Sequence, residues 1–120
     1  MAGLNIGPLR WGIVVVAQAG TRRALVVSYE PFHRSGLMTV CPVTAARAEA
    51  RYPGDVAVPV GEAGQTKPGL IICSQVRTIS MLRLRGAPVG YLTDPQLRGQ
   101  VRTALAHHLA LDIPAVVDLA

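Results

Sequence analysis

The stretch from Gly69 to Ser80, Gly-Leu-Ile-Ile-Cys-Ser-Gln-Val-Arg-Thr-Ile-Ser, limits the possible folds of this chain more than any other. Its first half is an apolar run rich in β-branching, which suits a pleated interior strand better than a helix. From Ser74 to Ser80 the residues alternate: Val76 and Ile79 are apolar, while Ser74, Gln75, Arg77 and Thr78 offer hydrogen bonds. A strand that leaves a core in this way delivers a hydroxyl, an amide and a guanidinium on rigid backbone. Such a set holds phosphate with little entropy lost on binding. The wet rim of an ordinary sheet has the same pattern.

At 120 residues the chain is expected to be a single domain over residues 1–120, with a core that needs no disulfide or metal. Half of the residues are hydrophobic but only 4% are aromatic, so that core must be Val, Leu, Ile and Ala. The apolar excess points to a subunit interface. The densest apolar run, Ile13 to Ala17, stops at Gln18, far short of the roughly 20 residues a membrane helix needs. Met1 to Leu9 has no positive segment followed by an apolar one, so a cytoplasmic location is expected. Cys41 and Cys73 sit in apolar runs without ligand spacing and are expected to be buried, reduced thiols.

Arginine carries nearly all of the +5 net charge, and Lys67 is the only lysine. The guanidinium fork grips phosphate with two hydrogen bonds, so this bias suits a polyanion or an acidic protein segment as partner.

In chain order, Met1 to Leu9 is expected to be a loose lead-in. Trp11 to Ala17 is a central strand and Gln18 to Thr21 a turn. Ala24 to Ser28 is a second strand, pairing with the first as a hairpin. Tyr29 to Gly36 reads as a loop, and Leu37 to Val43 as a third strand that tolerates Pro42 only at its end or edge. Thr44 to Gly54 is a loop of mixed charge (Arg47, Glu49, Arg51), and Asp55 to Val60 a short strand. Gly61 to Pro68 is a turn-rich connection, Met81 to Arg85 a short helical turn, and Pro88 to Leu92 the last strand. Thr93-Asp94-Pro95-Gln96 carries a capping-box pattern. The helix it opens, Asp94 to about Leu111, sets Leu97, Val101, Ala104, Leu105 and His108 at helical spacing, and Pro114 stops it. Residues 112–120 form a tail. The fold class is mainly β with a C-terminal α-helix: a small, bent or barrel-like sheet with one helix packed on it.

Several chemistries lack support. Gly61 to Lys67 superficially evokes a phosphate loop, but the Walker spacing is wrong and no helix follows. No His, Cys, Asp and Glu set has ligand spacing, so neither metal nor other cofactor is expected. His107 and His108 read as structural residues at a helix end. His33, in a loop between Phe32 and Arg34, is the histidine placed to exchange protons near neutral pH. What remains is a set of strand ends: Arg22 and Arg23, Thr44, and Ser74, Gln75 and Arg77. RNA cleavage by its own 2′-hydroxyl needs mainly stabilisation of the phosphorane and some proton transfer. Arginine supplies the first well and the second poorly.

These residues resemble the MazF/PemK/Kid family, the toxins of type II toxin–antitoxin systems. Thr21-Arg22-Arg23-Ala24-Leu25-Val26-Val27-Ser28 resembles its Arg-Pro-then-apolar strand, and Cys41-Pro42-Val43-Thr44 its Pro-Val/Ile-Thr element. Ser74-Gln75-Val76-Arg77-Thr78-Ile79 is similar to its acidic-Gln-x-Arg/Lys-Ser/Thr-Ile segment, and Gly90 to Thr93 with the following helix to its ending. The resemblance implies an SH3-like barrel of the CcdB/PemK kind and a homodimer. It implies a metal-independent endoribonuclease that cuts single-stranded RNA and leaves a 2′,3′-cyclic phosphate and a 5′-hydroxyl. It also implies an antitoxin whose flexible acidic tail occupies the same basic groove.

On this basis Arg22, Thr44 and Ser74 are the expected catalytic set, and Arg23, His33, Gln75, Arg77 and Thr78 the expected RNA-binding set. Ser74 stands where many members carry Asp or Glu, so Ser74 or His33 would have to replace the missing acid. Arg23 replaces the usual proline, Gly12 stands where an acidic residue is common, and Trp11 is displaced from its usual place. The Gln18 to Thr21 loop is also short for the family. Two other readings stay open: a catalytically lapsed module that binds nucleic acid or antitoxin, and a gyrase-directed toxin of the same fold.

Overall fold

The computed structural model describes residues 6–17, 20–45 and 52–112. Seven strands, β1 Gly12–Ala17, β2 Thr21–Val26, β3 Leu37–Thr44, β4 Asp55–Val58, β5 Gly69–Ile72, β6 Arg77–Ser80 and β7 Gly90–Tyr91, precede one helix, α1 Pro95–His108. The strands form one antiparallel sheet in the order β4-β5-β3-β2-β1-β7, with β6 also paired to β3. The sheet curls into a half-barrel with the helix on one face, in agreement with the expected class.

The expected continuous strand from Gly69 to Ser80 is broken in two. β5 pairs with Val43 and Thr44 at one end of β3, and β6 pairs with Leu37 to Val40 at the other. A 3₁₀ turn, Cys73–Gln75, joins them. Because β3 takes both partners on one edge in succession, the polar half of the stretch is re-aimed instead of running straight on. Pro42 lies inside β3, paired with Ala24, not at the strand's end but where its other side is locally an edge, the second of the two expected places. It falls in the gap between the two ladders, where its missing N–H removes no bond from that edge.

Alternation explains the unbroken apolar run of β1. Ile13 belongs to a core with Leu25, Cys41, Ile71 and the α1 residues Leu97, Val101 and Ala104. Val14 and Val16 point the other way, into a second core with Leu9, Ala24, Val26, Met38, Val40 and Ile79. A strand covered on both faces has no polar positions to offer.

Other boundaries shift for local reasons. Trp11 precedes β1 in a left-handed conformation with φ 66°, its ring held between the Arg10 and Arg98 guanidiniums, each 5.3 Å from the centroid. β2 begins at Thr21 and not Ala24, because backbone ladder bonds ignore the polarity of Arg22 and Arg23. The Tyr29 to Gly36 loop contains a 3₁₀ helix, Glu30–Ser35, with Pro31 in its first turn and Gly36 closing it at φ 84°. β3 runs on through Thr44, one residue past its expected end, while β4 and β7 are shorter than expected, and the Met81–Arg83 turn is 3₁₀. Leu9 is no loose lead-in: it is buried, and its N–H donates to Glu30. The segment around Arg47, Glu49 and Arg51 and the stop at Pro114 lie outside the described residues.

α1 ends at His108, short of Leu111, where Ala110 turns left-handed at φ 57°. His108 is exposed and takes no part in the apolar face. The N-cap is Asp94, whose carboxylate accepts the Gln96 N–H at 2.8 Å. The reciprocal half of a capping box is supplied from elsewhere: Glu62 Oε1 accepts the N–H groups of Thr93 and Asp94 at 2.7 and 3.2 Å. Glu62 comes from the Gly61 to Pro68 connection, so this loop is tied to the start of α1.

Candidate nucleic-acid interface

Strand register decides which polar ends meet. Val16 pairs with Arg22, and Ala24 with Pro42, so their side chains share one face of the sheet. Thr44, two residues after Pro42, lies on that face too; continuing the rung Arg23–Val43 by one residue sets it across from Arg22. Arg77 pairs with Val40, two residues before Pro42, and so joins the same face. Three strands therefore present Arg22, Thr44 and Arg77 above one apolar floor.

The result is a groove of about 520 Å³ lined by Thr21, Arg22, Thr44, Gln75 and Arg77 over Val16, Ala24, Val40 and Pro42. No carboxylate lines it among the described residues. Arg22 and Arg77 stand at its two ends, since four residues of β3 separate their rows, about 13 Å at strand rise. Among the described residues the Arg22 side chain has no hydrogen-bond or ion-pair partner, leaving its donors available to a ligand. Gln75 reaches the groove only because the 3₁₀ turn interrupts the strand; that turn is held by the Cys73 N–H donating to the Gly54 carbonyl at 2.7 Å. Beneath it Cys41 and Cys73 are buried, free and in contact. The hydrogen bond with Cys73, and then burial, push the Cys41 thiol up, so it stays protonated and inert.

Other expected site residues are brought elsewhere. Ser74 lies on the outer side of the turn against Gly54, where an added Cβ would meet Ser74 Cβ at 3.1 Å, and does not line the groove. Thr78 alternates to the face opposite Arg77, and its hydroxyl bonds that of Thr39 at 2.8 Å. His33 is not a solvated loop residue. It is buried, with Nε2 2.6 Å from Ser28 Oγ and Nδ1 3.3 Å from Glu30 Oε2, and lines a separate hollow with Ile6, Met81 and Leu84. Ser28 Oγ also accepts the Thr39 N–H at 2.9 Å, so this Ser-His-Glu arrangement is a structural tie between β3 and the 3₁₀ helix.

Arg23, paired with Val15 and Val43, borders the groove as well, but its side chain turns to the face opposite Arg22, where Nη1 donates to Gln65 Oε1 at 2.9 Å. Gln65 is a buried polar residue that sequence reasoning passed over as part of a turn; nothing in its spacing marks it out. A larger depression of about 820 Å³ between β4 and α1 is lined by Asp55, His107 and Asp112, with no guanidinium among the described residues that line it. Among the described residues no three of His, Cys, Asp and Glu gather as a metal-ligand set. No helix among them is long and apolar enough to cross a membrane.

Residues 13–109 match the family model of PemK-like, MazF-like toxins of type II toxin–antitoxin systems. The chain belongs to this family. The toxin's fold recurs in solved structures. A mycobacterial endoribonuclease in complex with its cognate antitoxin is 24% identical, with TM-score 0.75 over 90% of this chain and 100% of that one. MazF from Deinococcus radiodurans is 26% identical, with TM-score 0.70 over 86% and 96%. The Mycobacterium tuberculosis toxin MazF-mt6 is 22% identical, with TM-score 0.69 over 82% and 96%. Among curated protein sequences no match was found.

Proposed function

We propose that this toxin is a metal-independent endoribonuclease that cuts single-stranded RNA by attack of the 2′-hydroxyl on the adjacent phosphate. The observation that carries the reading is the placement of Arg22, Thr44 and Arg77, from three strands, on one face of a groove that no carboxylate lines among the described residues. The Arg22 guanidinium neutralises the charge that builds on the phosphorane, the Thr44 hydroxyl across from it donates a hydrogen bond, and Arg77 at the other end of the groove holds an adjoining phosphate. Gln75 contacts a neighbouring nucleotide. With Ser74 and His33 outside the groove, neither takes the proton of the 2′-hydroxyl, and this role falls to solvent. The toxin works in the cytoplasm as a homodimer, and an antitoxin's acidic tail neutralises the groove by occupying it.

Incubating the purified protein with a mixed RNA pool in EDTA tests this. Fragments ending in 2′,3′-cyclic phosphate are expected, and RNA left intact at high protein concentration sinks the proposal. That no acid lines the groove among the described residues favours a second reading, a module that binds RNA without cutting it. Salt-dependent RNA binding with no cleavage would select that one. A gyrase-directed toxin gains nothing from a phosphate-sized basic groove, and recovery of gyrase instead of RNA in a pull-down would select it.

A further inference from the structure

The groove does not end at Thr44. β3 leaves the sheet at Ala45, and over this rim lies a second hollow of about 270 Å³ lined by Arg23, Thr44, Ala45, Gln65, Thr66 and Lys67. The two concavities share Arg23, Val43, Thr44 and Ala45, so they are continuous around the strand end. Neighbours on one strand point to opposite faces, which sends Arg22 into the groove and Arg23 into the second hollow.

Arg23 is held there. Its Nη1 donates to Gln65 Oε1 at 2.9 Å, and Gln65 is itself only 6% exposed. The Gln65 amide nitrogen packs so closely on Gly69 that a Cβ at that position would fall 2.6 Å away. The partner is a neutral amide. It fixes the guanidinium while leaving its charge intact, where a carboxylate at position 65 would have neutralised it. Lys67 adds a second cation, has no side-chain partner among the described residues, and no carboxylate lines the hollow among them. A fixed guanidinium keeps its remaining donors for a bidentate anion and loses little entropy in gripping it.

We propose that Arg23 and Lys67 form a second phosphate subsite, with Gln65 as its positioning residue. It receives the continuation of a single-stranded RNA that lies in the Arg22–Arg77 groove and crosses the Thr44–Ala45 rim. This rests on reading the groove as an RNA site. RNA is favoured over an acidic peptide because two phosphate-sized basic hollows in series suit a strand with evenly spaced phosphodiesters.

The test measures binding of non-cleavable 2′-O-methyl RNAs of about four and about ten nucleotides, by fluorescence anisotropy across a salt series. Wild type is compared with R23A, K67A, Q65A, Q65E and R22A, each checked for an unchanged thermal midpoint. For the longer RNA, R23A and K67A are expected to lower the salt slope by about 0.7 each, one phosphate contact per cation. Q65E is expected to match R23A because it neutralises the guanidinium, and Q65A to fall between R23A and wild type. The short RNA should respond to R22A alone. Equal effects of R23A and K67A on both lengths, or on neither, overturn the subsite. An acidic peptide that depends on Arg23 and Lys67, while RNA does not, overturns its assignment to RNA. Failure of wild type to bind either RNA, or insensitivity of the short RNA to R22A, sinks the groove reading itself and is a separate result.

Discussion

Glu30 is the carboxylate whose loss has the most calculable effect. The N–H groups of Leu9 and Arg10 donate to its Oε1 at 2.9 and 2.8 Å, and His33 Nδ1 lies 3.3 Å from Oε2. It thereby fixes the chain just before β1 and the 3₁₀ helix behind β3. Hydrogen bonds to a charged group contribute about 1.5–3 kcal/mol each when buried. The Glu30 side chain is 43% exposed, so screening reduces the pair to roughly half of that. E30Q keeps one carbonyl oxygen and loses the charge. The expected destabilisation is about 1–2 kcal/mol, a fall in thermal midpoint of about 4–8 °C for a chain of this length.

The pH dependence carries the sharper test. Burial acts to raise the Glu30 pKa, but the N–H groups of Arg10 and Leu9 and the neighbouring His33 outweigh it and hold the group below its usual 4.5. A depressed folded pKa contributes stability that is complete above the unfolded value and vanishes as pH falls through the folded one. The gap between wild type and E30Q, followed by thermal melts, is thus open above the usual carboxylate value of 4.5 and closes as pH falls through the lower folded value. Equal midpoints at neutral pH, or a gap that stays open in acid, would refute this reasoning.

Three further outcomes are expected. R22A should reduce the rate of RNA cleavage about 10²- to 10³-fold, as loss of one preorganised donor to a developing oxyanion does, with the melting curve unchanged; a tenfold loss or less in single-turnover assays places Arg22 outside the reacting centre. Gly90→Ala should destabilise by about 3 kcal/mol or more, because the new Cβ collides with the backbone of Ala63, which cannot swing aside like a side chain; a native-like denaturation midpoint would contradict this. The thiols of Cys41 and Cys73 are fully buried, so labelling by a thiol reagent should require structural opening and be slower by orders of magnitude than for a free thiol at the same reagent concentration; labelling at the free-thiol rate would contradict this.

The Arg22 and Thr44 strand ends are legible because one opens and the other closes an apolar run with hydrogen-bonding residues, and a sheet must expose such ends. Arg77 was legible for the same reason, although the strand carrying it was misdrawn. Ser74 and Thr78 enter the expected site by their place in the family motif and His33 as a loop histidine, and neither ground says anything of side-chain direction. The break at Cys73–Gln75 turns Ser74 toward Gly54, alternation takes Thr78 to the far face, and the Ser28 and Glu30 contacts draw His33 inward. Gln65 and Glu62 were invisible, since a polar residue in a glycine-rich loop is ordinarily solvated, and only folding reveals that one holds Arg23 and the other caps α1.

Local chemistry along the chain determined the class of the fold: β-branched runs without polar positions form strands buried on both sides, and Asp94-Pro95 opens the one helix. It also determined the sign of the charge and that arginine carries it. Tertiary structure alone decided which charges act together. Side-chain direction in a sheet depends on register, and register is set by pairings between strands far apart in sequence. Arg22 and Arg77 share a face, whereas adjacent Arg22 and Arg23 do not.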